Sequence, residues 1–223
     1  MDLFNKIFKG ISQRFSKSGE EVEYESHKNK KQLLIIDSLI FVILLTIPLR
    51  VFPPDFLLIA IYFLLYPYLF LTVRKSAIYH LLISSVIALI WIFIAKDQYG
   101  YNLGTLNVLG IHLLPLFTAA AGLFAVYLLY SHWEYILGRQ SFFKKMLLFV
   151  AFYWTILISF ETIVYHVFNI KNLSTVMYAG LPICDCIHAP RWMQISYLSL
   201  GPIYFSICEL IGLKNPHYIR KKK

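Results

Sequence analysis

Apolar residues along the chain gather in long unbroken runs, without the two-residue alternation of a half-buried strand or the single apolar stripe of a soluble amphipathic helix. A run of roughly 17–25 apolar residues matches the ~30 Å hydrocarbon core of a bilayer when coiled as a helix. Six such runs predict six spans, over residues 33–51, 56–73, 76–95, 111–130, 146–168 and 195–213. Two of the polar segments between them are long, 96–110 and 169–194, and both fall on the same side of the membrane if every run crosses it. Ahead of the first span, Leu3, Phe4, Ile7, Phe8, Ile11 and Phe15 recur at helical spacing among Lys6, Lys9, Arg14 and Lys17. Such a basic amphipathic helix lies in the inner-leaflet interface or packs on the inner ends of the spans. The expected organisation is therefore a leader and polar linker over 1–32, a membrane domain over 33–213 and a basic tail over 214–223.

Composition agrees with the pattern. Of 223 residues 58% are hydrophobic and only 15% charged, against about 25% charged in an ordinary soluble domain. Soluble, disordered, coiled-coil, collagenous and disulfide-scaffold chains are all excluded. The net charge of +9 would suggest nucleic acid in a soluble protein, so its placement decides its meaning. With the N-terminus inside, 17 Lys and Arg fall on inner segments and four, Arg50, Lys96, Lys171 and Arg191, on outer ones. That is the positive-inside bias of a membrane protein, and it removes the need for a nucleic-acid partner. The first span begins at Leu33 behind a charged leader with no small-residue cleavage site, and reads as a retained span. The fold class expected is an all-α integral membrane protein, a six-transmembrane-helix bundle with cytoplasmic N- and C-termini. It would be a multi-pass integral membrane protein, in the cell membrane if the chain is prokaryotic, with membrane lipids as its partners.

Within the bundle, Thr118, Ala119, Ala120, Ala121, Gly122 and Ala125 give span four a small-residue face on which neighbouring helices approach closely. Span four is expected at the centre. Pro67, Pro115 and Pro202 each remove a backbone donor, which lipid tolerates only when another group satisfies the freed carbonyl.

Ionisable groups inside spans need a partner or a wet cavity. Glu161 lies deep in span five and is the leading functional candidate. Thr155, Ser159, Thr162 and His166 follow at i, i+4, i+7 and i+11 on that helix, a polar stripe expected to face protein or a cavity. The stripe leads into the 169–194 loop, where Cys184, Asp185, Cys186, His188 and Arg191 fall within eight residues. Cys184, Cys186 and His188 present the donors of a soft or borderline divalent metal; a disulfide, a redox thiol pair or simple packing explains the same cysteines. Asp185, His188 and Arg191 also form an acid, base and anion-binding set. The 96–110 loop brings Asp97, Tyr101 and Asn102 to the same side, with His112 beside it. On the inner side Asp37 and Glu209 are placed to meet. No Walker loop, dinucleotide fingerprint, HExxH or GxSxG motif is present.

Trp91, Asp97, Tyr101, Asn102, Gly110 and Pro115 follow one another in an order that resembles the membrane-embedded lycopene cyclase domain family of carotenoid synthesis. The resemblance covers about 25 residues, and Leu116, Phe117 and Thr118 stand where that family carries an acidic pair after the proline. It implies a related helical bundle with an isoprenoid or lipid substrate. Together these features predict a membrane enzyme with an outward-facing site, in which Glu161, His166, Asp185 and His188 do acid–base work. Arg191, Asp97, Tyr101, Asn102 and His112 would then contact substrate. A small transporter with a Glu161–His166 relay is the alternative, and a non-catalytic scaffold the third.

Overall fold

A computed structural model describes residues 24–26, 30–46, 54–134, 141–213 and 215–220; the expected amphipathic leader over 1–18 lies outside them. The chain is mostly helical. Six α-helices follow in order: α1 (Lys30–Thr46), α2 (Pro54–Leu71), α3 (Lys75–Ala95), α4 (Leu113–Glu134), α5 (Phe142–Thr162), which runs on through a π-helical turn at Ile163–Val167, and α6 (Arg191–Leu210). The segments Ser76–Gln98, Leu113–Trp133 and Phe142–Val167 are long and apolar enough to cross a membrane. Their outward faces are apolar as well: Phe93 and Ile94 on α3 and Leu147 on α5 are at least 60% exposed. Water penalises such faces, whereas lipid does not.

Helix α4 touches all five other helices, and residues 120–132 along it are buried with the single exception of Gly122. Span four is thus the central helix. Ala120 and Ala121 pack in a buried cluster with residues of α2 and α3, as a small-residue face is expected to; Gly122 differs, since a Cβ there would meet nothing within 4 Å, and leaves space on another flank.

Pro202 interrupts α6 and, lacking an N–H, leaves the carbonyl of Leu198 without its helical donor. The Trp154 indole Nε1–H of α5 donates to that carbonyl at 2.9 Å, and one residue earlier the Tyr153 hydroxyl donates to the Tyr197 carbonyl at 2.7 Å. Beside Pro202 the Tyr153 ring fills the space over Gly201, where any Cβ would collide with it. Replacing Trp154 by Phe keeps the bulk and strands the Leu198 carbonyl. The expected loss is about 1–3 kcal/mol, read as a lower midpoint in thermal unfolding of the detergent-solubilised protein.

One end of the bundle is closed by polar contacts. A tight turn with Val73 at φ 59° points Arg74 inward, where its guanidinium binds both carboxylate oxygens of Asp37 on α1 at 2.8 and 3.0 Å. The Tyr68 hydroxyl donates to Asp37 Oδ1 at 2.7 Å, and His132 Nε2 on α4 lies 2.9 Å from Oδ2. The tail folds back over this group: Asn215 Nδ2 donates to the Ser131 carbonyl at 2.8 Å. The buried ring of His217 lies 3.7 Å from that of His132. Burial, reinforced by the neighbouring His132 and Arg74, pushes the His217 imidazole down to about 3, so the ring is neutral at physiological pH. Beyond it, the short strand β2 (Tyr218–Arg220) pairs antiparallel with β1 (Tyr24–Ser26). The partners found for Asp37 are Arg74, His132 and Tyr68, where the sequence points to Glu209.

Candidate functional site

At the opposite end the two long connectors are laced together. Asn172 holds one across the other: its Oδ1 accepts the Gly100 N–H at 2.9 Å and its Nδ2 donates to the Gln98 carbonyl at 2.7 Å. Asn102 does the converse, donating to the Asn169 carbonyl at 2.9 Å and accepting the Lys171 N–H at 3.0 Å. Backbone bonds from Asn102 to Lys171 and from Leu173 to Gly100 complete the seam. Further along, Gln194 Nε2 on α6 donates to the carbonyls of Ala179 and Ile187 at 2.8 and 3.0 Å, tying the cysteine loop to the helix. Asp185 and Ile187 adopt φ of 44° and 53° there, a conformation costly for a β-branched residue such as Ile187.

Beneath this cover lies a cavity of about 230 Å³ bordered by α1, α2, α4, α5, α6 and both connectors. Its walls are mainly apolar: Phe41, Leu58, Leu114, Ile156, Leu157 and Phe160 contribute, and Thr118, Ala121, Gly122 and Ala125 of α4 supply the room. Among the described lining residues Glu161 is the single carboxyl, and no described side chain or backbone group is hydrogen-bonded to it. Five phenols stand around the same space, on Tyr99, Tyr101, Tyr153, Tyr165 and Tyr197. Three aromatic groups are chained, with Trp91 Nε1–H donating to the Tyr99 hydroxyl at 2.9 Å and that hydroxyl 2.8 Å from the Tyr197 hydroxyl. Burial pushes the Tyr99 and Tyr101 phenols up, so both remain hydroxyls. Thr175 also lines the cavity, buried, with its hydroxyl lacking a protein partner.

Of the residues singled out in the sequence, the cavity brings together Glu161, Tyr101 and His188. His188 stacks on Tyr165 with ring centroids 4.5 Å apart, and its two nitrogens face the carbonyls of Tyr178 and Asp185 at 2.8 and 3.1 Å. Asp185 is exposed, 3.5 Å from His188 Nε2. His166 is exposed beside the Cys184 carbonyl at 3.1 Å, and Arg191 is exposed with its Nη1 on Gln194 Oε1. Asp97 is an exposed residue of the 3-10 turn Lys96–Gln98, Asn102 belongs to the seam, and His112 pairs with Thr105 at 3.2 Å. None of these six lines the cavity. Cys184 and Cys186 form a disulfide, so neither sulfur is a thiolate donor in this state.

The hydroxyl stripe on α5 needs correction. Thr155 and Thr162 donate to the carbonyls of Ala151 and Ile158 on their own helix, and Thr155, Ser159 and His166 are exposed. A hydroxyl satisfied by the preceding turn has no need of a cavity. The face that lines the site is the neighbouring one, Tyr153, Leu157, Phe160, Glu161 and Val164, at i, i+4, i+7, i+8 and i+11. That spacing is legible in the sequence once the search is for an apolar face containing one acid.

The chain matches no protein-family model, no curated protein and no solved structure.

Proposed function

We propose that this protein is a six-span, multi-pass integral membrane enzyme with cytoplasmic termini, acting on a lipid or isoprenoid. The laced connectors would then lie at the outer face. Glu161 is its general acid or base, placed to deliver a proton to, or take one from, an apolar substrate. The observation that carries this reading is the single unpartnered carboxyl in an otherwise apolar, tyrosine-walled cavity. Apolar walls exclude water and favour an alkyl or isoprenoid chain. The tyrosine faces offer quadrupole attraction to positive charge developing on such a chain, and the phenols and Thr175 supply uncharged donors for a polar end. The carboxyl that the lycopene cyclase domains carry after the proline would come here from α5. A proton or cation relay draws less support, because the lining contains neither Asp37 nor His132, Arg74 or His217, which sit at the other end of the bundle.

Gly122→Phe tests the cavity as a binding site, since a Cβ at that lining position meets nothing within 4 Å and the ring fills the space beyond it. Mass spectrometry of organic extracts from the purified protein should find a lipid or isoprenoid enriched over the bulk membrane in the wild type, and lost in Gly122→Phe. Identical lipid profiles for the two proteins would count against the reading.

A further inference from the structure

The polar group at the tail end of the bundle contains more ligand chemistry than its hydrogen bonds use. Asp37 from α1, His132 from α4 and His217 from the tail are all buried, and one potential ligand atom from each lies within 4.8 Å of the other two. His132 Nδ1 and both ring nitrogens of His217 lack a hydrogen-bond partner of good geometry, although the Leu128 carbonyl lies near His217. Buried imidazoles without partners are costly, and three segments distant in sequence converge to create the situation here.

We propose that Asp37, His132 and His217 form a binding site for a divalent cation of the zinc class, held by one carboxylate oxygen and one nitrogen from each imidazole. Two imidazoles with one carboxylate suit Zn²⁺, whereas Mg²⁺ and Ca²⁺ prefer all-oxygen shells. Zinc bonds of roughly 2.0–2.2 Å require the donors to close to about 3–3.5 Å of one another, a movement within reach of side-chain rotation in the tail residue. Tyr68 and Arg74 already donate to the carboxylate and fix its orientation, as the partners of ligating carboxylates commonly do. The positive charge of Arg74 weakens the site, so the ion exchanges and chelator removes it. The inference is independent of the activity proposed for Glu161, since the two sites occupy opposite ends of the bundle and share no residue.

The test uses the full chain, purified in detergent without thiol reductant, stripped with EDTA and titrated with Co²⁺, with Zn²⁺ as competitor. One equivalent of Co²⁺ should bind with visible d–d absorption and no thiolate charge-transfer band, and Zn²⁺ should displace it and raise the thermal midpoint. His217→Ala should weaken binding at least tenfold and abolish the rise. Tyr68→Phe should weaken it roughly tenfold, and His166→Ala with His188→Ala at the far end should leave it unchanged. Should His217→Ala fail to fold, the wild-type midpoint decides alone. Absence of stoichiometric Co²⁺, a midpoint indifferent to Zn²⁺, or unchanged binding by a folded His217→Ala protein would each overturn the proposal.

Discussion

Arg74→Ala is expected to destabilise the protein by about 3–5 kcal/mol, the loss typical when one partner of a buried ion pair is removed. Both side chains of the Arg74–Asp37 pair are fully buried, and the guanidinium donates to both carboxylate oxygens while its Nε donates to Thr72. Truncation at Arg74 strands the Asp37 carboxylate in a low-dielectric interior and releases the turn that forces Val73 to a positive φ. The remaining Tyr68 and His132 contacts do not replace the lost positive charge. Asp37→Leu combined with Arg74→Met removes both charges and should recover most of the loss, because a well-packed apolar pair avoids the desolvation that the ion pair suffers. Denaturant or thermal unfolding of the three proteins in one detergent checks this; a double variant as unstable as Arg74→Ala would show that the charges contribute more than mutual compensation.

Glu161→Gln has the largest expected effect on activity. General acid–base catalysis by a positioned side chain contributes about 100- to 10,000-fold, and the amide keeps the shape of the carboxyl without its transferable proton. Turnover of the proposed lipid or isoprenoid substrate should fall within that range. Folded yield and thermal midpoint should stay at wild-type values, since no described residue hydrogen-bonds to Glu161 and the substitution orphans nothing. Glu161→Asp retains the acid but draws it back by one methylene, and should lose at least tenfold through misplacement. A loss of folded protein in Glu161→Gln, with activity per folded molecule unchanged, would assign the residue to packing.

Much of the helical layout was legible because lipid-length apolar runs are a strong signal. The expected spans 56–73, 76–95 and 146–168 overlap α2, α3 and α5 closely, and the centrality of span four followed from its small residues. Glu161 stood out as the single acid within its apolar run, and it lines the cavity. The rest of the site depends on contacts between segments far apart in sequence. Tyr99 and Tyr197 are 98 residues apart, and nothing local distinguishes them from the other tyrosines of the chain. The hydroxyl stripe misled because Ser and Thr satisfy themselves on their own helix, so a polar face on a membrane helix is not evidence of a cavity. Asp37 and His132 were each visible as charged or polar residues near a helix end. Their pairing with Arg74 and His217 needed the reversal at Val73 and the return of the tail, and neither carries a sequence signal.

Proton exchange tests most directly the claim that Glu161 performs acid–base chemistry on an apolar substrate. Membranes containing the protein would be incubated in D₂O with a mixture of acyclic isoprenoids, and extracted lipids analysed for deuterium at carbon. Wild-type protein should introduce deuterium into at least one isoprenoid or its product, and Glu161→Gln should leave that compound at the background of membranes lacking the protein. Deuterium incorporation equal in wild type and Glu161→Gln, or absent from both, would contradict the account.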